Sequence, residues 1–291
     1  MNYLSKLPEE CVSTILSLSN PRDVCRTAAA CSELRLAAQS DFVWESFLPH
    51  DYLQILARAA DSSLLLKCGS KKDLFFVLCN SLLIDGGNKI FRLDRLTGLK
   101  SYVLSARDLS IAWATNPIYW SWKKLHMSRF SESVELRTTS WLEIQGNIKI
   151  KMLSPNTTYG AYLIFNISQS GYGLDIMPIE ISLEVGSDLV CYNTVYLRQD
   201  HEKKHQIQWL LYYNRTEMLI SRVNQGPERN VPVLPGVRND GWMEIELGRF
   251  FCDEIYSDEE IVKMSLMEIK GHHLKGGLIV EGIEIRPLHL K

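Results

Sequence analysis

The period of the hydrophobic pattern changes once along this chain, and that change restricts the fold more than any other feature. In residues 7–49 the apolar side chains recur at helical spacing, as in Val12, Ile15, Leu16 and Leu18. From residue 104 onward the period falls to two, as in Ile179, Ile181, Leu183 and Val185. A strand with one apolar side buries one face and wets the other, the habit of an antiparallel sandwich. The expected fold is therefore α+β and multi-domain: a small helical module at residues 1–50, a helical linker and hairpin at 51–98, and an antiparallel β-sandwich at 99–291.

The helical part has readable punctuation. Leu7-Pro8-Glu9-Glu10 reads as a helix start, because proline is tolerated in a first turn and acids there suit the helix dipole. Asn20-Pro21-Arg22-Asp23 reads as a turn with Asn20 as the cap of a second helix. That helix would carry Val24, Thr27, Ala28, Cys31 and Leu34 on one face, and Ser40-Asp41 would open a third piece ending in Trp44, Phe47, Leu48 and Pro49. Three helices in roughly 45 residues hold too little core to stand alone. Such a module either caps the rest of the chain or is completed by a partner. Residues 52–80 continue as a helical linker with Leu53, Ile55, Leu56, Leu64, Leu65 and Leu66 to bury. Asp85-Gly86-Gly87-Asn88 is a turn, and residues 89–94 and 99–104 flank Arg95-Leu96-Thr97-Gly98 as a hairpin.

Strands then follow at 141–150 (a pair broken near Gly146), 158–167, 179–185, 194–198, 207–213, 242–247, 261–269 and 278–286. Residues 225–240, rich in Pro, Gly and Asn, read as a long exposed loop.

Composition narrows the function classes. A formal net charge of −2 gives no electrostatic case for nucleic acid. No apolar stretch approaches a membrane span, and the first residues lack the basic and apolar regions of a secretory leader, so nucleus and cytoplasm are the expected locations. The seven cysteines are odd in number and form no C-x-x-C, which fits reduced, buried thiols. With no leader, the sequons at Asn156, Asn166 and Asn214 are expected to be coincidental.

Two groups of residues suggest binding chemistry. Trp113, Trp120 and Trp122 fall within ten residues, interrupted by Asn116-Pro117. Aromatic faces stack on the C–H faces of sugar rings, although sandwich cores use tryptophan as well. Glu268 shares strand parity with Val262, Met264 and Leu266, and a carboxylate on an apolar face needs a partner: a ligand hydroxyl or amide, a lysine, or a backbone amide. One motif points elsewhere. His201-Glu202-Lys203-Lys204-His205 spells H-E-x-x-H, but it sits between strand-like segments and not on a helix, so a zinc hydrolase using His201, Glu202 and His205 is a remote alternative. No nucleophile elbow or phosphate-cradling glycine loop occurs, and no cofactor is implied.

The helical segment resembles an F-box through Leu7-Pro8-Glu9-Glu10, Ile15-Leu16, Pro21, Arg22-Asp23-Val24, Ala30-Cys31, Ala37-Ala38, Ser40-Asp41 and Trp44. The resemblance implies docking on the SKP-family adaptor of cullin-based ubiquitin ligases, with Leu7, Pro8, Ile15 and Leu16 against the adaptor and Val24 nearby. Ser32 and Leu34 depart from the basic and aromatic residues usual after the cysteine.

The strand-rich segment resembles the plant phloem protein 2 (Nictaba-type) lectins over roughly residues 101–287. Its marks are the run from Leu104 to Ile111, Trp113, Tyr119-Trp120-Ser121-Trp122, Trp141-Leu142-Glu143-Ile144, Asp240-Gly241-Trp242-Met243-Glu244-Ile245, Leu266-Met267-Glu268-Ile269 and Gly277-Leu278-Ile279-Val280-Glu281-Gly282. This implies a jelly-roll sandwich that binds N-acetylglucosamine oligomers or N-glycan cores through Trp113, Trp120 and Glu268. A second acid implied seven residues before Glu268 is replaced by Ile261. Both resemblances together imply a non-catalytic substrate-recognition subunit of a cullin-RING ligase. Its partners would be the adaptor, the cullin scaffold and a glycoprotein target, and the lectin segment is a possible homodimer interface. A receptor for a protein surface without sugar is the alternative.

Overall fold

A computed structural model describes residues 7–61, 68–197, 235–254 and 259–288. Its described helices are α1 (Glu9–Ser17), α2 (Pro21–Thr27), α3 (Ser32–Ala37), α4 (Asp41–Glu45), α5 (Tyr52–Ala57) and α6 (Lys71–Leu78). The expected punctuation is present. Pro8 occupies the N-cap of α1, and the Asn20 side chain caps α2 by accepting the Asp23 N–H at 2.9 Å, with Pro21 in the first turn. The single second helix expected from Val24 to Leu34 is instead two short ones, because Cys31 adopts an extended backbone (φ −157°) at the N-cap of α3. The break folds α3 back, and the Arg35 guanidinium reaches the Ala28 carbonyl at 3.4 Å.

The helical module does not close on itself. Trp44 is fully buried and donates its indole N–H to the Ala38 carbonyl at 2.7 Å. Its ring packs on Phe47, Phe75 and Phe76, and the two phenylalanines at 75 and 76 come from α6, well outside the module. One continuous apolar core runs from Val12 through Trp44 and Phe91 to Ile285. The cap reading of the module thus describes the packing.

The strands are β1 (Leu82–Ile84), β2 (Lys89–Leu93), β3 (Lys100–Ser105), β4 (Ser110–Ile111), β5 (Trp120–Lys123), β6 (Ser133–Leu136), β7 (Leu142–Lys149), β8 (Thr157–Tyr172), β9 (Ile179–Val185), β10 (Asp188–Val195), β11 (Gly236–Val237), β12 (Met243–Cys252), β13 (Ile261–Glu268) and β14 (Gly276–Pro287). They form two sheets, in order β1-β2-β3-β14-β8-β12-β11, with β6 and β5 branching from β14, and β10-β9-β13-β7-β4. Every described pairing is antiparallel. From β7 onward the chain passes back and forth between the sheets, as a jelly roll requires.

Three strand expectations change. The break near Gly146 does not occur, and β7 runs through it. A Cβ at that position would lie 2.8 Å from Ile283 Cδ1 and 3.0 Å from Leu109 Cδ2, so the glycine marks close sheet-to-sheet packing and not a turn. Residues 82–84, between the expected linker and the expected turn, form the edge strand β1, so the large sheet begins upstream of residue 99. Within the 225–240 loop, Gly236 and Val237 pair with β12. The expected strand at 207–213, residues 225–234, Leu64–Leu66 and the His201-Glu202-His205 motif lie outside the described residues.

The hairpin of β2 and β3 forms as expected: the Asp94 carboxylate accepts the N–H groups of Leu96 and Thr97, and Gly98 takes φ +76°. A Cβ on Gly98 would meet the Phe47 carbonyl at 3.2 Å, so this turn is where the sandwich receives the helices. Polar ties surround the same joint. Arg58 forks onto Asp85 with two contacts of 2.8 Å, Lys89 reaches Asp85 and Asp108 at 3.1 Å each, and Lys100 reaches Asp51 at 2.8 Å.

Candidate functional site

The chain between β4 and β5 builds an aromatic corner. Ala112 donates its N–H to the Glu143 carbonyl at 3.1 Å, which fixes the loop to β7. The indole N–H groups of Trp120 and Trp122 then hold the loop from below, donating to the carbonyls of Ala112 and Ala114 at 2.9 and 3.0 Å. Between those anchors Trp113 takes φ +56°, a left-handed backbone that a bulky L residue rarely adopts. The effect is to turn its ring outward, where it is 47% exposed. It lies against Tyr119 with ring centroids 5.3 Å apart, and edge-on to Trp141 at 6.1 Å. Trp141 is also exposed, and its indole N–H donates to the Glu143 carboxylate at 3.0 Å.

Of the sugar-site residues expected from sequence, Trp113 is on the surface and the other two are inside. Trp120 is 2% exposed and belongs to the core, so its ring is closed to ligand. Trp122, two residues on, is only partly buried, with the Arg107 guanidinium 3.5 Å above its ring. The strand parity inferred for Glu268 is correct, and it points the side chain inward. There the carboxylate accepts the Gly271 N–H at 2.9 Å and forms a direct ion pair with Lys275, whose ammonium also donates to the Ser140 carbonyl at 2.9 Å. His273 Nε2 stands 3.8 Å away. Both members of the pair are buried, so the partners of Glu268 are a lysine and a backbone amide. Ile261 lies at the far end of β13, seven residues away, roughly 23 Å at about 3.3 Å per residue. An acid there would not share one small-ligand site with Glu268.

Tyr119 and Trp141 are the surface residues that sequence reasoning did not single out. Both stood in resemblance motifs, but nothing in the spacing of Trp141 showed that it meets Trp113, because that contact crosses from the β4–β5 loop to the start of β7.

At the other end of the chain the expected adaptor-facing residues also divide. Leu7, Pro8 and Ile15 are exposed, Leu7 at 43% and Ile15 at 57%. Leu16, expected against the adaptor, and Val24, expected near it, are buried within the helical module, where they pack in one core with Val12 and Leu34. Leu7, Val12, Cys31, Leu34 and Leu36 line a pocket of about 160 Å³ with Glu9 and Glu33 beside it. The Glu33 carboxyl is held below the usual range by its own backbone N–H, then by Cys31 and Ser32. The cysteines divide in the same way. Cys11 and Cys25 are exposed, against expectation, while burial pushes the thiols of Cys79 and Cys252 up to about 12 and about 11, which leaves those two unreactive. Among the described residues no cluster of three metal-binding side chains occurs, and no helix is long and apolar enough to cross a membrane.

Fold and surfaces together define a class: a small helical module built onto an antiparallel sandwich. Residues 99–287 match the phloem protein 2 family, and residues 4–50 match the F-box-like family. The chain belongs to the phloem protein 2 family and carries an F-box-like segment ahead of the family domain. It is similar to three Arabidopsis thaliana proteins along nearly its whole length. F-box protein PP2-B15 is 47% identical over 98% of this chain and 97% of its own. F-box protein PP2-B13 is 45% identical over 98% and 99%, and F-box protein VBF 44% identical over 97% and 98%. Among solved structures, a family 35 carbohydrate binding module from Clostridium thermocellum covers 64% of this chain and 96% of its own at 10% identity, with a TM-score of 0.30, a likeness too slight to bear on fold or ligand.

Proposed function

We propose that this protein is the substrate-recognition subunit of an SCF-type (cullin-RING) ubiquitin ligase, working in nucleus and cytoplasm. The observation that carries the reading is the pairing, in one chain, of an F-box-like segment with exposed Leu7, Pro8 and Ile15 and a sandwich with an exposed aromatic corner. The helical end docks on the SKP-family adaptor and so on the cullin. The sandwich holds an N-acetylglucosamine-containing glycan or glycoprotein. Its mechanism is proximity: a target held beside the ubiquitin-charged enzyme experiences a raised effective concentration, so this chain needs no catalytic residue. The names of the relatives, all F-box proteins, support the docking half. The corner of Trp113, Tyr119 and Trp141 supports the glycan half.

Two measurements test the halves separately. Purified full-length protein should retain an SKP-family adaptor on a column, and Ile15→Glu should abolish retention without unfolding the chain. Equal retention by the variant refutes adaptor docking through this face. On a glycan array the wild type should select N-acetylglucosamine oligomers or N-glycans, and Trp113→Ala should lose that signal. The burial of Trp120 and Glu268 favours a second reading, in which the sandwich grips a protein surface without sugar. A blank array alongside a target whose capture survives glycosidase treatment would establish it.

A further inference from the structure

We infer that the polar contact of the sugar site is made by Glu143, with Trp141 as a second stacking face beside Trp113. This assignment rests on the glycan-binding reading above and names its recognising atoms. Three observations converge on it. Trp113 is held in a left-handed backbone that exposes its ring, and strain of that kind persists only where the surroundings enforce it. Trp141 stands edge-on to it at 6.1 Å, so the two exposed indoles make an angled wall and not a flat platform. The half-buried Glu143 carboxylate sits at the foot of that wall, placed by the Trp141 indole N–H at 3.0 Å and the Gln145 side-chain amide at 2.8 Å.

The partners of Glu143 set it apart from the buried acids of the sandwich. Glu268 faces Lys275, Glu281 faces Arg129, and Glu284 faces Arg92, Arg238 and Arg286. Each of those is buried and neutralised by a cation. Glu143 is positioned by two neutral donors, and among the described residues no lysine or arginine pairs with it. Two of its acceptor positions therefore stay open beside exposed aromatic faces. A carboxylate has about four acceptor sites, and two are used. The chemistry that fits is a ring with an apolar C–H face and an N–H or O–H donor at its edge, as in a pyranose carrying an acetamido group. The ring stacks on the indoles while the donor reaches Glu143. Glu268, opposite Leu142 on the paired strand β13, supports the wall through Lys275 and the Ser140 carbonyl that precedes Trp141.

Full-length protein titrated with tri-N-acetylchitotriose, followed by calorimetry, tests the assignment. Glu143→Gln keeps a carbonyl for the Trp141 N–H, so its melting temperature should match the wild type. Its Kd should rise about tenfold or more, the loss expected for a hydrogen bond to a charged acceptor. Trp141→Ala should weaken binding at least as much. Wild-type affinity in both variants would overturn the assignment while leaving glycan binding in place. A wild type that binds neither this oligomer nor any N-glycan would remove the glycan reading itself, and the assignment with it.

Discussion

At the scale of single residues, the two tryptophans expected to act alike should differ sharply in what they hold up. Trp120→Ala empties a core position and removes the indole N–H from the Ala112 carbonyl, so it should cost about 3–5 kcal/mol in urea denaturation. Trp113→Ala removes an exposed ring and should change stability by less than about 1 kcal/mol. Glu268→Gln should cost about 3–5 kcal/mol, because it leaves the Lys275 ammonium buried without its counter-charge. The double variant Glu268→Gln with Lys275→Met should recover part of that loss, and recovery of none would mean the pair is not the source of the cost. Both tryptophans were legible in the sequence as candidates; which of them faces solvent was not. Alternation in β5 assigns faces, but the loop before it is set by a left-handed residue, and a run of letters does not announce positive φ at a tryptophan.

At the scale of elements, the glycine inside β7 and the aspartate between β1 and β2 make separate predictions. Gly146→Ala places a methyl 2.8 Å from Ile283 Cδ1, so it should destabilise by about 1–3 kcal/mol, and Ile283→Val in the same chain should return some of it. Equal stability of the single variant and wild type would show that the sheets have room to part. Asp85 joins the end of α5 to the β1–β2 turn. Its bonds to Arg58, then to Lys89, lower its carboxyl from 3.8 to about 2. A folded value below the unfolded one means the stabilisation is present above 3.8 and is lost as pH falls through about 2. Wild type and Asp85→Asn should therefore differ in denaturation midpoint at neutral pH and converge on acidification through that window; a constant gap would contradict the ion pair. The helix caps, the hairpin and the long strands were readable because their causes are local: a proline, an asparagine cap, a glycine at a turn, strict alternation. Strand β1 was not, since its three residues owe their pairing to β2 and to Ala59 and Ala60 beyond the end of α5.

At the scale of the whole molecule, helices and sandwich share one core, with Phe75 under Trp44 and the β2–β3 turn against Phe47. The full chain should unfold in a single calorimetric transition, whereas independent modules would give two. Residues 99–291 alone lack β1 and β2 and leave Tyr102 without Phe91, so they should bind a hydrophobic dye and melt without a sharp transition. A cooperative melt of that fragment would show the helices to be dispensable. Such sharing bears on the proposed function, because a docking module fused to the sandwich would hold a bound target at a set orientation to the adaptor. The order of classes along the chain, the antiparallel habit, the helix boundaries near Asn20 and Ser40 and the family membership were all in the sequence, because periodicity, turn chemistry and ordered motifs are local or cumulative properties. Tertiary structure alone decided that Trp120, Glu268, Leu16 and Val24 are internal, and that Trp113 meets Trp141. Burial and contact between distant segments depend on which faces the folded sheets bring together, and no window of neighbouring residues contains that information.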